Sequence, residues 1–246
     1  MPQIKTTGYI FKAINYNETS QIIRLFSHDL GIISVLVRGA LKSDKSNENF
    51  DMFSKTSFVL YEPHSGEIYK YKESTLLQSG IDFSKNIKTF YRISLMFKIL
   101  SGILPERIPA TEIYTLLDKT VSKIRKYVLD DSNKLYIFYF LFNLLMIEGY
   151  EPNYYHCGQC GDKFHEIAFY SPQKTVLLCK NCNSSPDNIK LNAESIKLMK
   201  HITKGVFSKF DRATFTENEK VIWKVLSSSY SANFNLNIDE FSEFIK

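Results

Sequence analysis

Short runs of alternating apolar and polar residues fill the first third of the sequence. "GYIFKAINY" and "SQIIRLFS" are rich in β-branched and aromatic residues and bounded by polar turn material, which predicts strands. "DLG" (Asp29 to Gly31) makes a tight turn into "GIISVLVRGA". After the polar loop "LKSDKSNENFD" come "FSKTSFVLYEP", a turn at His64 to Gly66, and "EIYKYKESTLL". Five strands in about 75 residues suit a small closed barrel of the oligonucleotide-binding (OB) type. An SH3-like barrel would give a similar pattern, and the strand count alone does not separate the two.

The period changes after Gly80. "FYRISLMFKILSGIL" (Phe90 to Leu104) has helical spacing and is broken by Pro105 and Pro109. "TEIYTLLDKTVSKIRKYVL" follows, with Thr111 expected as N-cap and Ile113, Leu116, Leu117, Val121 and Ile124 on one face. A third helix is expected from about Ser132 to Glu148, ending at Gly149 with Pro152 beyond. Its apolar run, Leu135 to Ile147, falls short of the roughly 20 residues needed to span a bilayer, so a buried helix is the expectation. Further helices are predicted at "NAESIKLMKHITKG", capped by Asn192 and ended by Gly205, and at "TENEKVIWKVLSSSY", opened by a Thr216/Glu219 capping box. The tail "NIDEFSEFIK" is acidic and amphipathic.

Between these helical stretches lie all four cysteines, as Cys157-x2-Cys160-x18-Cys179-x2-Cys182. That spacing fits a four-cysteine zinc site: two tight turns, the first eased by Gly158 and Gly161, bring four thiolates to one ion. "FHEIAFYS" and "KTVLL" between the pairs look like strands of a small ribbon. A redox dithiol would need one pair opening a helix after a strand. A catalytic zinc keeps an open position, which four cysteines close. His156 or His165 could stand in for a cysteine, but four thiolates leave them no vacancy. The expected role is therefore structural Zn2+, and its removal is expected to unfold residues of about 154 to 186.

With 44% hydrophobic and 23% charged residues the composition is globular, and abundant aromatics argue against disorder. The start has no uninterrupted apolar core of a signal peptide, and the gathered cysteines suit a reducing compartment, so the expectation is a cytoplasmic chain without a membrane. The formal charge of +5 hints at an anionic partner. In the barrel segment Lys12, Arg24, Arg38, Lys42, Lys45, Lys70 and Lys72 are interleaved with Tyr9, Phe11, Tyr69 and Tyr71, the residue types that hold phosphates and stack bases, or else a solvated outer face and core aromatics. Lys197, Lys200 and Lys204 share a helix face, a second basic patch that either binds phosphates or an acidic segment or simply faces water. "KTVSKIRKY" (Lys119, Lys123, Arg125, Lys126) offers the same choice between phosphate and solvent. No phosphate loop, His-Glu-x-x-His or Gly-x-Ser-x-Gly is present, so the sequence is read as no enzyme.

Two stretches carry a family resemblance. In "AINYNETSQIIRLFSHDLGIISVLVRGALKS" a polar turn, an I-x-R-L-F-S strand, a glycine after the next turn and a basic R-G-A element follow one another. In "FYFLFNLLMIEGYEPNYYHCGQCG" a helix ends in Gly-Tyr-x-Pro just before the first cysteine pair, and "CKNC" completes the module. In this order the parts resemble the RecO family of bacterial recombination mediators. The resemblance implies a multidomain α+β chain: an N-terminal five-stranded OB-type β-barrel (1–80) and a C-terminal α-helical domain (81–153 and 187–246) with an inserted four-cysteine zinc module (154–186). It implies binding of single- and double-stranded DNA, annealing of strands coated by single-strand binding protein (SSB), contact with the SSB C-terminal tail, and action with RecR to load RecA, which is an indirect partner. Arg38 and Lys42 match the family's basic element. An RNA- or transcription-associated adaptor with the same barrel and ribbon is the alternative. Two departures stand out. The loop after Arg38 is nearly neutral, and a Gly-Gly common before the second cysteine pair is here "KTVLL".

Overall fold

The computed structural model describes residues 2–41, 50–63, 68–164, 166–206 and 212–245, the side chains of residues 212–214 excepted. Lys42, Lys45, the expected turn at His64 to Gly66, and His165 lie outside the described residues. The chain divides into two compact units, Met1–Asp131 and Ser132–Lys246.

In the first unit, β1 (Gln3–Tyr16), β2 (Ser20–Ser27), β3 (Gly31–Val37), β4 (Lys55–Tyr61) and β5 (Ile68–Gln78) close a barrel in the order β1-β2-β3-β5-β4. β4 returns antiparallel to β1, and β3 meets β5 in parallel. This Greek-key order is the OB arrangement. The period of two along each strand sends Ile23, Leu25, Ile33, Val35, Phe58, Leu60 and Tyr69 into the barrel core. Residues of opposite parity face outward.

Gly31 is the hinge of the "DLG" turn. Its φ is +68°, and a Cβ there would lie 2.1 Å from the carbonyl oxygen of Ile108. Gly31→Ala combines a left-handed conformation with a backbone clash, so it should cost about 2 to 6 kcal/mol. Urea unfolding measures this, and an unchanged midpoint would contradict the reading of the turn.

Two helices pack on the outside of the barrel, α1 (Ile87–Ile103) and α2 (Thr111–Lys126). The Asn86 side chain accepts from the Thr89 amide at 3.0 Å and so starts α1. Thr111 does not cap α2 as the sequence suggests. The Tyr114 amide reaches back to the Ala110 carbonyl at 2.8 Å, which makes Thr111 the first helical residue. The face of Ile113, Leu116, Leu117, Val121 and Ile124 is buried as expected. Phe97 of α1 stacks on Phe11 at 5.6 Å and on Phe53 at 5.4 Å, and Tyr114 of α2 meets Phe26 edge-on at 5.5 Å. One end of the barrel's outer face is thus covered.

In the second unit α3 (Lys134–Ile147) is buried on several sides and stops at Gly149, whose φ is +83°. Three short strands follow: β6 (Ile167–Ser171), β7 (Val176–Leu178) and β8 (Ile189–Asn192), in the order β7-β6-β8. Helices α4 (Ala193–Thr203), α5 (Arg212–Phe234) and α6 (Ser242–Ile245) complete the unit. Asn192 caps α4 as predicted, accepting from the Ser195 amide at 2.7 Å. The capping box expected at Thr216 and Glu219 does not open the helix. α5 begins at Arg212, so Thr216 lies inside it, and the buried Glu219 carboxylate accepts from Lys134 at 2.7 Å. Neutralising that carboxylate inside the unit outweighs a role at a helix end. Among the described residues no helix is long and apolar enough to cross a membrane.

Candidate metal centre and nucleic-acid interface

The four cysteines converge. The Sγ atoms of Cys157, Cys160, Cys179 and Cys182 all lie within 4.8 Å of one another, and Cys160 and Cys179 are 3.7 Å apart. Thiolates held about 2.3 Å from one zinc in a tetrahedron stand about 3.8 Å from each other, so the cluster fits such an ion. Each pair sits on a turn closed by backbone bonds. The Gly161 amide bonds the Cys157 carbonyl at 3.0 Å, and the Asn183 amide bonds the Cys179 carbonyl at 3.0 Å. Gly161 supplies a φ of +79°, whereas Gly158 supplies space, since a Cβ there would lie 2.7 Å from Cβ of Val176.

The environment favours thiolate at the innermost ligand. Cys157 is 3% exposed, and its sulfur accepts from the amides of Gln159 at 3.4 Å and Cys179 at 3.3 Å. Burial alone would raise the thiol, but the converging amides of Cys160, Cys179 and Gln159 override it and bring Cys157 down to about 6. Cys160 moves the other way, to about 12. The Asp162 amide opposes that rise, but desolvation, the Asp162 carboxylate and the neighbouring cysteines together exceed it. His156 is not a ligand; it pairs with Lys163 in a short antiparallel bridge that braces the first turn.

The barrel cations divide into engaged and available groups. Register places Ile14, Ile22, Leu36 and Lys70 in one row across β1, β2, β3 and β5, with Lys12 and Arg24 paired in the row beside it. Arg38, exposed at the end of β3, has the same parity as Leu36 and continues this outer face. Lys12, Arg38 and Lys70 make no ion pair among the described residues. Arg24 is ion-paired with Glu106 and lies over the Phe11 ring at 5.7 Å. Lys72 donates to Gln3 at 3.0 Å. The result is an outward surface in which lysine and arginine flank half-exposed aliphatic residues, without a carboxylate in those two rows.

Of the four aromatic residues singled out in the barrel, only Tyr71 is half-buried, edge-on to Phe50, and the other three are buried. Tyr9 is fully buried and donates to Asp118 at 2.6 Å, Phe11 is stacked under α1, and Tyr69 belongs to the barrel core. Their ring area stabilises the first unit by burial, which a solvent-facing base stack would forfeit. Arg125 of "KTVSKIRKY" is likewise structural: it covers the Phe83 ring at 4.6 Å and donates to the Ser79 carbonyl.

Lys197 on α4 and Lys204 at its C-terminal cap are exposed, and Lys200 places its ammonium 3.8 Å above the ring of Tyr155. No sequence pattern signals that the segment before the first cysteine pair returns to this helix. Only the Cys157–Asp162 turn, with the Phe164 amide bonded to the Tyr155 carbonyl at 3.1 Å, brings the two together.

These features define a class: a chain that joins an OB-type barrel to a helical unit carrying a four-cysteine cluster. The chain belongs to the recombination protein O (RecO) family. It matches Recombination protein O N terminal over residues 1–79 and Recombination protein O C terminal over residues 84–233. Similar curated proteins include the DNA repair protein RecO of Caldanaerobacter subterraneus subsp. tengcongensis, 23% identical over 94% of each chain. The DNA repair protein RecO of Mesoplasma florum is 24% identical over 95% of this chain and 86% of its own. That of Caldicellulosiruptor saccharolyticus is 22% identical over the full length of both.

Proposed function

We propose that this chain is a non-enzymatic mediator of recombinational DNA repair that binds single- and double-stranded DNA and anneals complementary strands coated by SSB. Together with RecR it then prepares DNA for RecA. The main support is the outer face of β1, β2, β3 and β5, where Lys12, Arg38 and Lys70, without an ion pair among the described residues, lie beside Ile14, Ile22 and Leu36. OB barrels hold oligonucleotides on the face of their second and third strands. Cations there neutralise phosphates, and the aliphatic row accepts base faces in place of the buried Tyr9, Phe11 and Tyr69. Arg24, Lys72, Lys42 and Lys45 serve as further phosphate contacts.

Cys157, Cys160, Cys179 and Cys182 hold a structural Zn2+, which supplies folding free energy to the module of residues 154–186. With four thiolates the shell is closed to substrate, and the residues around it position α4 and the preceding hairpin. Lys197, Lys200 and Lys204 form a second anionic contact, for DNA or the SSB tail.

Because phosphate contacts release counterions, affinity for oligonucleotides should fall steeply with salt and vary little with sequence. Filter binding at several salt concentrations measures this, and a flat response would refute DNA binding. Lys197→Glu with Lys200→Glu should weaken binding of DNA or SSB tail about 10-fold and lower the salt slope by about 1 to 2. If neither ligand responds, α4 faces only solvent.

A further inference from the structure

Between the first cysteine turn and α4 lies a cleft of about 500 Å³. That volume is in the range of small-molecule pockets, roughly 300–1,000 Å³. Lys163 stands on one side, Lys197 and Lys200 on the other, and no carboxylate is among the lining residues. Half of its lining residues carry rings: Tyr154, Tyr155, His156, Phe164 and His201. Tyr155 is 54% exposed although Lys200 sits over it, Phe164 is half-buried, and Ile196 closes the helix side. The barrel's Tyr9, Phe11 and Tyr69, by contrast, are buried and present no such faces.

From this geometry we infer that the cleft takes one splayed-out nucleotide of a single strand, its base against Tyr155 and Phe164 and its phosphate held by Lys163 and Lys197. The inference rests on the reading of α4 as a nucleic-acid surface and adds a base-reading pocket to it. Three observations favour a nucleotide over other anions. The cations ring the cleft on both sides, so a phosphate on either flank of the base is neutralised. The apolar lining is planar more than aliphatic, which suits a base: stacking is tolerant of sequence because every base has a π-face. Lys197, Lys200 and Lys204 also continue along α4 from the cleft, at spacings of one helical turn, and offer a path for the neighbouring phosphates. An acidic peptide would satisfy the lysines but leave the ring faces without a flat partner.

Tyr155→Leu tests the pocket without disturbing the turn, since Tyr155 contributes to the turn through its backbone amide and carbonyl. Zinc content and the circular dichroism spectrum verify that the fold is intact. Binding of the full chain to a short oligothymidine should weaken about tenfold, while binding to an abasic backbone of the same length should be unchanged. The fluorescence of a single 2-aminopurine in the oligonucleotide should be quenched by the native chain and not by the variant. Unchanged affinity for oligothymidine would overturn the pocket. If Lys197→Glu with Lys200→Glu still weakens DNA binding in that case, the α4 surface survives without it, and if it does not, both readings fall. Equal weakening toward both backbones would mean that Tyr155 only steadies Lys200, which also overturns base recognition. Selective loss of an oligo-aspartate peptide, with DNA binding intact, would assign the cleft to an acidic protein segment instead.

Discussion

Cys179→Ser should abolish stoichiometric zinc and open both cysteine turns while leaving the barrel folded. In the proposed zinc site the ion would take the place of an extended apolar core for these turns, since outside Cys157 their cysteines are exposed or half-buried. Structural zinc sites contribute about 10 to 16 kcal/mol in small metal-folded units, far more than the two turns obtain from their few backbone bonds. The loss should nevertheless stop short of the whole stretch of 154 to 186 expected from the sequence. Ala168 and Tyr170 of β6 and Leu191 of β8 are fully buried, and the Tyr170 hydroxyl bonds Ser229 of α5 at 2.6 Å. Amide hydrogen exchange should therefore show loss of protection at Cys157–Asp162 and Cys179–Asn183, and retained protection in β6 and β8. Metal release by a thiol-reactive mercurial should report one zinc per native chain and none in the variant. Full protection of both turns in a zinc-free variant would show that the cysteines need no metal.

Arg38→Glu with Lys70→Glu should weaken single-strand binding by about 10- to 100-fold at moderate salt and reduce the salt slope by roughly 1.4, about 0.7 for each phosphate no longer neutralised. Reversing Arg24 should do less to DNA and more to stability, because its guanidinium is already bound to Glu106 and lies over Phe11. Compared with Arg38→Glu alone, which changes the net charge by the same two units as Arg24→Glu, this ordering separates a shared phosphate path from net charge. Electrophoretic mobility shifts in a salt series measure it. If Arg24 reversal proved as damaging to DNA binding as the Arg38/Lys70 pair in a stably folded chain, the division into available and engaged cations would be wrong.

The barrel was legible because its strands alternate with a period of two, and the cysteine turns because their spacing fits a metal site. Asn192 and Gly149 could be placed because helix ends have local chemistry. The role of the barrel aromatics was not legible. Alternation marks Tyr9 and Phe11 as strand residues, but only α1 and α2, packed on the outside, decide that they are covered. Thr216 and Glu219 misled for the same reason, since a local capping pattern yields to a buried partner, Lys134, distant in the chain. β8 carries a weak signal because "IKLN" is short and has its partner, β6, across the second cysteine pair. The cleft of Tyr155, Lys163 and Lys200 was out of reach altogether: its residues become neighbours only when the cysteine turn folds back on α4.

Family membership establishes what kind of chain this is; mediation between strands is the claim that most needs a direct measurement. Complementary single strands saturated with SSB should be mixed with and without the zinc-loaded chain, and duplex formation followed by strand-exchange fluorescence. Clear acceleration is expected at low salt, lost on raising the salt and much reduced by Arg38→Glu with Lys70→Glu. No acceleration at low salt by a folded, zinc-loaded chain would contradict strand mediation.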